Sequence, residues 1–364
     1  ARSNSSAERA VFCDVGAVCG SEAEEVMDTI LGQSSERLKH PELSRNPPTS
    51  GARISGSGVS GRIISSMDVE HVVPEVTLER GAARAVVSAS GAAIRELTVG
   101  GKPLLRSFAQ GTHPPQATNI VLAPWPNRVA EATYTFSGTR YELAVTETKL
   151  GHALHGFTPR RIFDFRDEKA PGEAGSSVTL RTVLGPERGW PWSITLTVRY
   201  QLTDSGLEAS MTALNLSDDP APCALGVHTY LDAQGAPLDE CTLHHSITRR
   251  QPLDERNIPV GAREPWPHNP IRMGDMWLDD AGYDPVANQP RIARLVDTTG
   301  TGVELEATAN MPWTQIFTSP QRHLAVEPMT APPNALATGE DLTVLEPGGH
   351  LTVGWSVRAI THES

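Results

Sequence analysis

Beyond about residue 74 the chain is built of short apolar runs, each stopped by Gly, Pro, Asn or Asp, and that pattern leaves few folds open. Ala85–Val99 reads AVVSASGAAIRELTV, and Tyr134–Val145 reads YTFSGTRYELAV, with Ser137-Gly138-Thr139 between two alternating halves as in a hairpin. Ile194–Leu202 and Leu207–Leu216 are joined through Asp204-Ser205-Gly206 in the same manner, and residues 177–184, 302–308, 314–318, 342–345 and 350–359 repeat the pattern. Alternation with period 2 sends successive side chains to opposite faces of a strand, and 31 Gly with 29 Pro supply the turns. The expected fold is all-β, a large antiparallel β-sandwich. No strand and helix alternate, and no glycine-rich turn introduces a helix, which excludes dinucleotide and phosphate-loop folds.

The 364 residues suffice for one large β domain or two ordinary ones. Residues 1–70 differ in texture, with SNSSAERA and SRNPPTSGARISGSGVSG around one plausible helix at Ser21–Leu31. Their Ser, Gly and Pro content offers little burial to offset ordering entropy, so 1–70 is expected to be a disordered extension and 71–364 one β-sandwich domain. Met67 is a possible natural start within that extension. Acidic residues outnumber basic ones 43 to 31, for a formal charge of -12, and the basic residues are scattered, which argues against a nucleic-acid partner. No apolar run approaches the roughly 18 residues of a membrane helix, and the first residues lack the regions of a signal peptide. The expected location is the cytoplasm. Cys13, Cys19, Cys223 and Cys241 fit no zinc spacing and are too sparse for a disulfide framework; they read as ordinary thiols.

In an all-β domain the functional groups come from strand ends far apart in the chain. Four segments mix titratable or hydrogen-bonding side chains with turn formers: NIVLAPWPNRVA from Asn119, GHALHGF from Gly151, CALGVHTYL from Cys223 and LAVEPMT from Leu324. Glu327 follows the apolar run Leu324-Ala325-Val326 and precedes Pro328, so it is expected at a strand end, held where a proline ends the ladder and aimed into a cleft. His152 and His155 have an i, i+3 spacing reminiscent of a metal pair, but no third ligand lies close by, and no metal is expected. His244 and His245 read as surface residues. Trp125, Trp190, Trp192, Trp266 and Trp313 read as mostly core, with Trp313 the candidate for an apolar floor beneath a bound ligand.

Asn127-Arg128, Leu154-His155-Gly156, Leu225-Gly226-Val227-His228-Thr229-Tyr230 and Glu327-Pro328-Met329-Thr330 occur in an order that resembles the aldose 1-epimerases, or galactose mutarotases. The resemblance spans about Pro74 to Ile360, and Ile247–Gly261 (ITRRQPLDERNIPVG) is similar to the family's stretch after its second histidine. It implies a galactose mutarotase-like supersandwich that interconverts the α and β anomers of a free aldohexose without a cofactor, its partner being a small-molecule sugar. By matching position, Glu327 would be the general base and His228 the general acid. Arg128 and His155 would orient sugar hydroxyls, with Asn127 beside them in the substrate-binding set. For the family's aspartate, WLDDAGYDPVA offers Asp279, Asp280 and Asp284; Leu278-Asp279 matches the branch with the Glu-Pro-Met-Thr form, and Gly282-Tyr283-Asp284 resembles another. Thr229-Tyr230-Leu231 replaces the family's frequent Pro-Tyr-Phe, so the acid is expected on a less rigid loop.

The chemistry requires these residue types on its own account. A hemiacetal opens when a base takes the C1 hydroxyl proton while an acid protonates the ring oxygen; rotation about C1–C2 and closure give the other anomer. A carboxylate raised toward neutrality and an imidazole near carboxylates fit those parts. Rival readings are an epimerase of hexose 6-phosphates or sulfonated sugars, for which Arg160-Arg161 or Arg249-Arg250 would have to reach the cleft, and a non-catalytic carbohydrate-binding module. A pure binder needs no matched acid and base, which weighs against the last. Neither the preferred sugar nor the oligomeric state leaves a signature in the sequence.

Overall fold

A computed structural model describes residues 73–166 and 175–361. The expected extension, its helix at Ser21–Leu31, and Cys13 and Cys19 lie outside the described residues.

The described chain is an antiparallel β structure dominated by two large sheets. The first has nine strands in the spatial order Asp164–Phe165, Ser177–Leu184, Ile194–Thr203, Gly206–Asn215, His350–Ile360, Gly302–Ala307, Arg291–Val296, Thr242–His245 and Ile271–Arg272. Its central hairpin forms as the alternation predicts, with Thr203 paired to Gly206 across the Asp204-Ser205 turn. The smaller hairpin Thr133–Phe136 with Thr139–Glu142 likewise turns at Ser137-Gly138. The second sheet has the order Glu264–Pro265, Arg249–Gln251, Asp279–Tyr283, Trp313–Thr318, Leu324–Met329, Gly226–Val227 and Val121–Leu122, with Thr229–Leu231 also pairing to Leu324–Val326.

The second sheet carries two different faces, and the period of 2 separates them. Ile316, Val326 and Pro328 point toward Ala293 and Leu305 of the first sheet, which closes the apolar interior between the layers. The opposite face collects the polar side chains. Cross-strand register places Gln251, Ala281, Gln315 and Glu327 in one row, since Ala281 pairs with both Gln251 and Gln315, and Gln315 with Glu327. Residues directly opposite in an antiparallel pair share a face, so this row is a geometric consequence of register.

Three expectations are corrected here. Glu327 is not at a strand end: Leu324–Met329 runs through Pro328, and all six residues are buried. A proline is tolerated in a central strand where no ladder bond is asked of it. The ladder to the 226–231 segment lapses at the two positions opposite Pro328 and Glu327, between the pairs Gly226–Met329 and Thr229–Val326. Nor does His228 sit on a loose loop, because Thr229–Leu231 is a strand and the Tyr230 N–H donates to Asn119 Oδ1 at 2.9 Å. Finally, of the two adjacent histidines only His244 is at the surface; His245 faces inward, with its ring 5.2 Å from that of Trp266. Neighbours on a strand face opposite sides, and one of those sides is the interior.

The segment holding His155 shows how local backbone serves the site. His155 and Gly156 both have positive φ, 60° and 69°, and a Cβ on Gly156 would lie 2.1 Å from the Ala123 carbonyl oxygen. Only glycine permits that approach. Gly156→Ala is expected to cost about 3 kcal/mol or more through strain and displacement of the 123–127 loop, measurable as a lowered midpoint in urea unfolding; an unchanged midpoint would refute the close packing.

Candidate active site

The polar face of the second sheet is covered by loops that carry the remaining sequence candidates. Continuing the Leu324–Met329 register through its lapse sets His228 opposite Glu327, and the two side chains meet there: His228 Nε2 lies 3.3 Å from Glu327 Oε1. Both are almost fully buried, at 3% and 2% exposure. The motifs that carry them are tied through backbone, since the Thr330 N–H donates to Leu225 O at 2.8 Å and the Leu225 N–H to Thr330 Oγ1 at 2.9 Å. Acid and base candidates a hundred residues apart are thus cross-strand neighbours.

Asn127 and His155 clasp each other. The His155 N–H donates to Asn127 O at 2.9 Å and the Asn127 N–H donates to His155 Nδ1 at 3.2 Å, which leaves His155 Nε2 as the proton-bearing nitrogen. The His155 ring stands edge-on to that of His228, with centroids 5.3 Å apart. Asn127 reaches Gln315 Oε1 through its amide at 3.4 Å, and Gln315 Nε2 donates to Asp279 Oδ1 at 2.6 Å. Asn257 Nδ2 holds the other Asp279 oxygen at 3.0 Å. Arg128, next to Asn127, is gripped by Glu147 through two parallel bonds of 2.9 Å each.

The electrostatics follow from burial. Desolvation pushes the Glu327 carboxyl well above its ordinary value, with Asp279 adding to the effect and Arg128 opposing it. Desolvation pushes His228 down to about 4 and His155 well below the usual imidazole range, the latter helped by His228 and Arg128. The close contact between Glu327 and His228 works against both displacements, because one proton between the two is shared most cheaply across that contact. Burial also raises the Asp279 carboxyl, while Arg128 and the Gln315 amide pull it back. For Arg128 burial opposes the charge, yet Glu147, then Asp279 and Glu327, hold its pKa above the usual guanidinium value.

Donor atoms of His155, His228 and Glu327 lie within 4.8 Å of one another, a spacing that could suit a metal ion. The Arg128 guanidinium acts electrostatically on both Glu327 and His155, and a fixed cation there disfavours a second one. The set is better suited to moving a proton. His152 is not part of it: its Nδ1 accepts from the Glu131 N–H at 3.2 Å.

Of the eight sequence candidates, six converge: Glu327, His228, Arg128, His155, Asn127 and Asp279. The strand Asp279–Tyr283 decides among the aspartates. Asp279 faces the cluster, while Asp280 on the opposite face is bonded by Arg250 Nε at 2.6 Å. Asp284 lies outside the cluster, in a buried pair with Arg291 at 2.7 Å. Trp313 is fully buried beneath Tyr283 and Arg263, with its Nε1 donating to Asp341 Oδ2 at 2.8 Å, so its ring offers no open face. Sequence reading missed Gln315, Glu147 and Asn257. Gln315 was within reach, two residues beyond Trp313 on an expected strand; Glu147 had no local signal.

The antiparallel double sheet, with a carboxylate, imidazoles and amides gathered on one polar face, is galactose mutarotase-like in its fold. The chain belongs to the aldose 1-epimerase family, whose model matches residues 74–358. It is similar to the uncharacterized Escherichia coli (strain K12) protein YihR, 28% identical over 291 residues that cover 75% of this chain and 89% of that protein. Its fold matches a galactose mutarotase-like protein from Clostridium acetobutylicum, TM-score 0.70 at 18% identity, covering 81% of this chain and 97% of the other. It also matches a galactose 1-epimerase from Lactobacillus acidophilus NCFM, TM-score 0.65 at 18% identity, over 79% and 95% of the two chains. Family membership makes the protein an isomerase of the epimerase type acting on sugars. Among the described residues no helix is long and apolar enough to cross a membrane.

The two aspartates should separate by stability. Asp284→Ala strands the buried Arg291 charge and is expected to cost about 3–5 kcal/mol. Asp279→Ala removes a carboxylate held by neutral amides in a desolvating site and should change stability by less than about 1 kcal/mol. Denaturant unfolding of both variants checks the order, and the reverse order would contradict the assignment.

Proposed function

We propose that this protein interconverts the α and β anomers of a free aldohexose by acid–base ring opening and closure, with Glu327 as base and His228 as acid. The observation that carries this reading is the opposed pair itself, Glu327 Oε1 and His228 Nε2 at 3.3 Å on a buried polar face. The C1 hydroxyl and the ring oxygen are bonded to the same carbon, so the groups that exchange protons with them must stand within a few ångströms of each other. Two sites in separate clefts could not do this.

The proton inventory agrees with that chemistry. Burial favours the neutral form of each group, a carboxylic acid and an imidazole, and these together hold one proton. Ring opening starts from the tautomer with a carboxylate and an imidazolium and ends with a carboxylic acid and a neutral imidazole. The two states differ by the position of one proton and not by the number, so no exchange with solvent is needed within a turnover. Glu327 Oε2 and His228 Nδ1 are buried without a hydrogen-bond partner among the described residues, and Glu327 Oε2 can accept from a sugar hydroxyl. Arg128, His155, Asp279 and Gln315 surround the pair with donors and acceptors suited to a polyhydroxylated ring.

An uncharged sugar is favoured over a phosphorylated or sulfonated one by where the arginine pairs lie. Arg250 is bonded to Asp280 and Glu264, and Arg161 to Glu187. The cytoplasm is the compartment proposed for this activity.

Polarimetry on freshly dissolved α-glucose and α-galactose tests the reading. Glu327→Gln should lower kcat by roughly 10²- to 10⁴-fold with KM little changed, and equal rates for variant and wild type would remove Glu327 from the mechanism. His228→Asn should lose most of the acceleration, whereas Arg128→Ala should raise KM more than it lowers kcat. The pH profile should be bell-shaped. As pH falls through about 4 the imidazole takes a second proton and the pair has no base; as pH rises through the elevated carboxyl pKa the pair loses its one proton and has no acid. A rate that rises without limit toward alkaline pH would contradict the shared proton.

A further inference from the structure

Arg128 poses a problem for the reading above. A guanidinium beside a catalytic carboxylate stabilises the ionised form and weakens it as a base, and Arg128 acts in that direction on both Glu327 and Asp279. Free to turn, it would pair with one of them. It does not, because Glu147 takes its Nε and Nη2 donors on Oε2 and Oε1, at 2.9 Å each. Both side chains are largely buried, at 13% and 8% exposure, so the pair is little screened by water.

Glu147 is itself fixed by its turn. The Gly151 and His152 N–H groups donate to Glu147 O, and the Glu147 N–H donates to His152 O. Arg256 braces the same turn with Nε and Nη2 on Leu150 O, and ion-pairs with Glu131. The neighbouring Asn257 bonds Asp279, so the turn that holds Glu147 is mechanically continuous with the far wall of the site.

We infer that Glu147 is the positioning residue for Arg128: its two-point grip aims the remaining guanidinium N–H groups at the substrate and keeps the charge off Glu327. This rests on the assignment of Glu327 as base. A bidentate carboxylate fixes both the direction and the rotation of the guanidinium plane, which one bond could not. It also supplies the countercharge that lets a cation sit beside a carboxylate while that carboxylate remains a usable base. The groups facing Glu327 are His228 from the adjoining segment, Gln315 across the strand pair, Asp279 and Tyr230 on the same face, and His155 and Arg128 from the covering loops. Of these only Arg128 is a permanent cation, so Glu147 acts on Glu327 through Arg128.

The test is a 13C NMR titration of the Glu327 side-chain carboxyl, assigned by its loss in Glu327→Gln, in wild type and Glu147→Gln. Releasing Arg128 should lower the Glu327 midpoint by about one pH unit or more, and the KM for the sugar should rise roughly tenfold with a smaller change in kcat. In an Arg128→Gln background the same Glu147 substitution should leave the midpoint unmoved. Glu147→Asp, which shortens the grip to one bond, should move it in the same direction by less and replaces Glu147→Gln if that variant does not fold. A midpoint unchanged in a folded Glu147 variant, or one that falls equally without Arg128, overturns the inference. The titration needs no turnover: if the wild type accelerates no sugar, the catalytic reading falls while the hold of Glu147 on Glu327 is still decided.

Discussion

The arrangement depends on a single lapse in a β-ladder. Between the pairs Gly226–Met329 and Thr229–Val326 the register continues while the hydrogen bonds do not, and in that interval His228 stands opposite Glu327. A regular ladder would hold two adjacent strands in place and leave no reason for a proline; a loop would leave the imidazole free to swing. The lapse does neither. It keeps Glu327 on its strand and His228 between two short strands in continuous register, and it absorbs Pro328 where no N–H is demanded.

Burying an acid and a base together is costly unless their charges are managed as a group, since an isolated ion in such a setting would be neutralised. Here each group has a polar partner. Glu327 faces His228, Gln315 links Asn127 to Asp279, Asn257 holds the second Asp279 oxygen, and Arg128 is countered by Glu147. Neutral amides bind Asp279, whereas a carboxylate binds Arg128. The division leaves Glu327 and His228 facing each other, with the nearest permanent cation, Arg128, balanced by Glu147.

Much of this was legible residue by residue. The alternation in Ile194–Leu202 and Leu207–Leu216, and the turn formers between them, named a hairpin that forms as read. Glu327, His228, Arg128, His155 and Asn127 were found because each lies in a short segment whose order along the chain resembles a family. Choosing Asp279 over Asp280 needed the pleat, which turns neighbours to opposite faces. Asp284 and Trp313 look equally promising in sequence, but one is bonded to Arg291 and the other is covered by Arg263 and Tyr283. Glu147 was invisible, because its partner is 19 residues away across a turn that nothing in the local pattern announces.

The sequence by itself determined the class of fold and marked the candidate site residues, because a period of 2 with regular turn residues admits little but antiparallel sheets, and because short motifs carry their residue types with them. Register, partner choice and burial were decided only by the tertiary structure. Which strand lies beside which is settled by how two sheets close on a shared interior, and a one-residue change of pairing would turn Glu327 from the polar face into the core. The proximity of Glu327 to His228 and the grip of Glu147 on Arg128 are products of that closure.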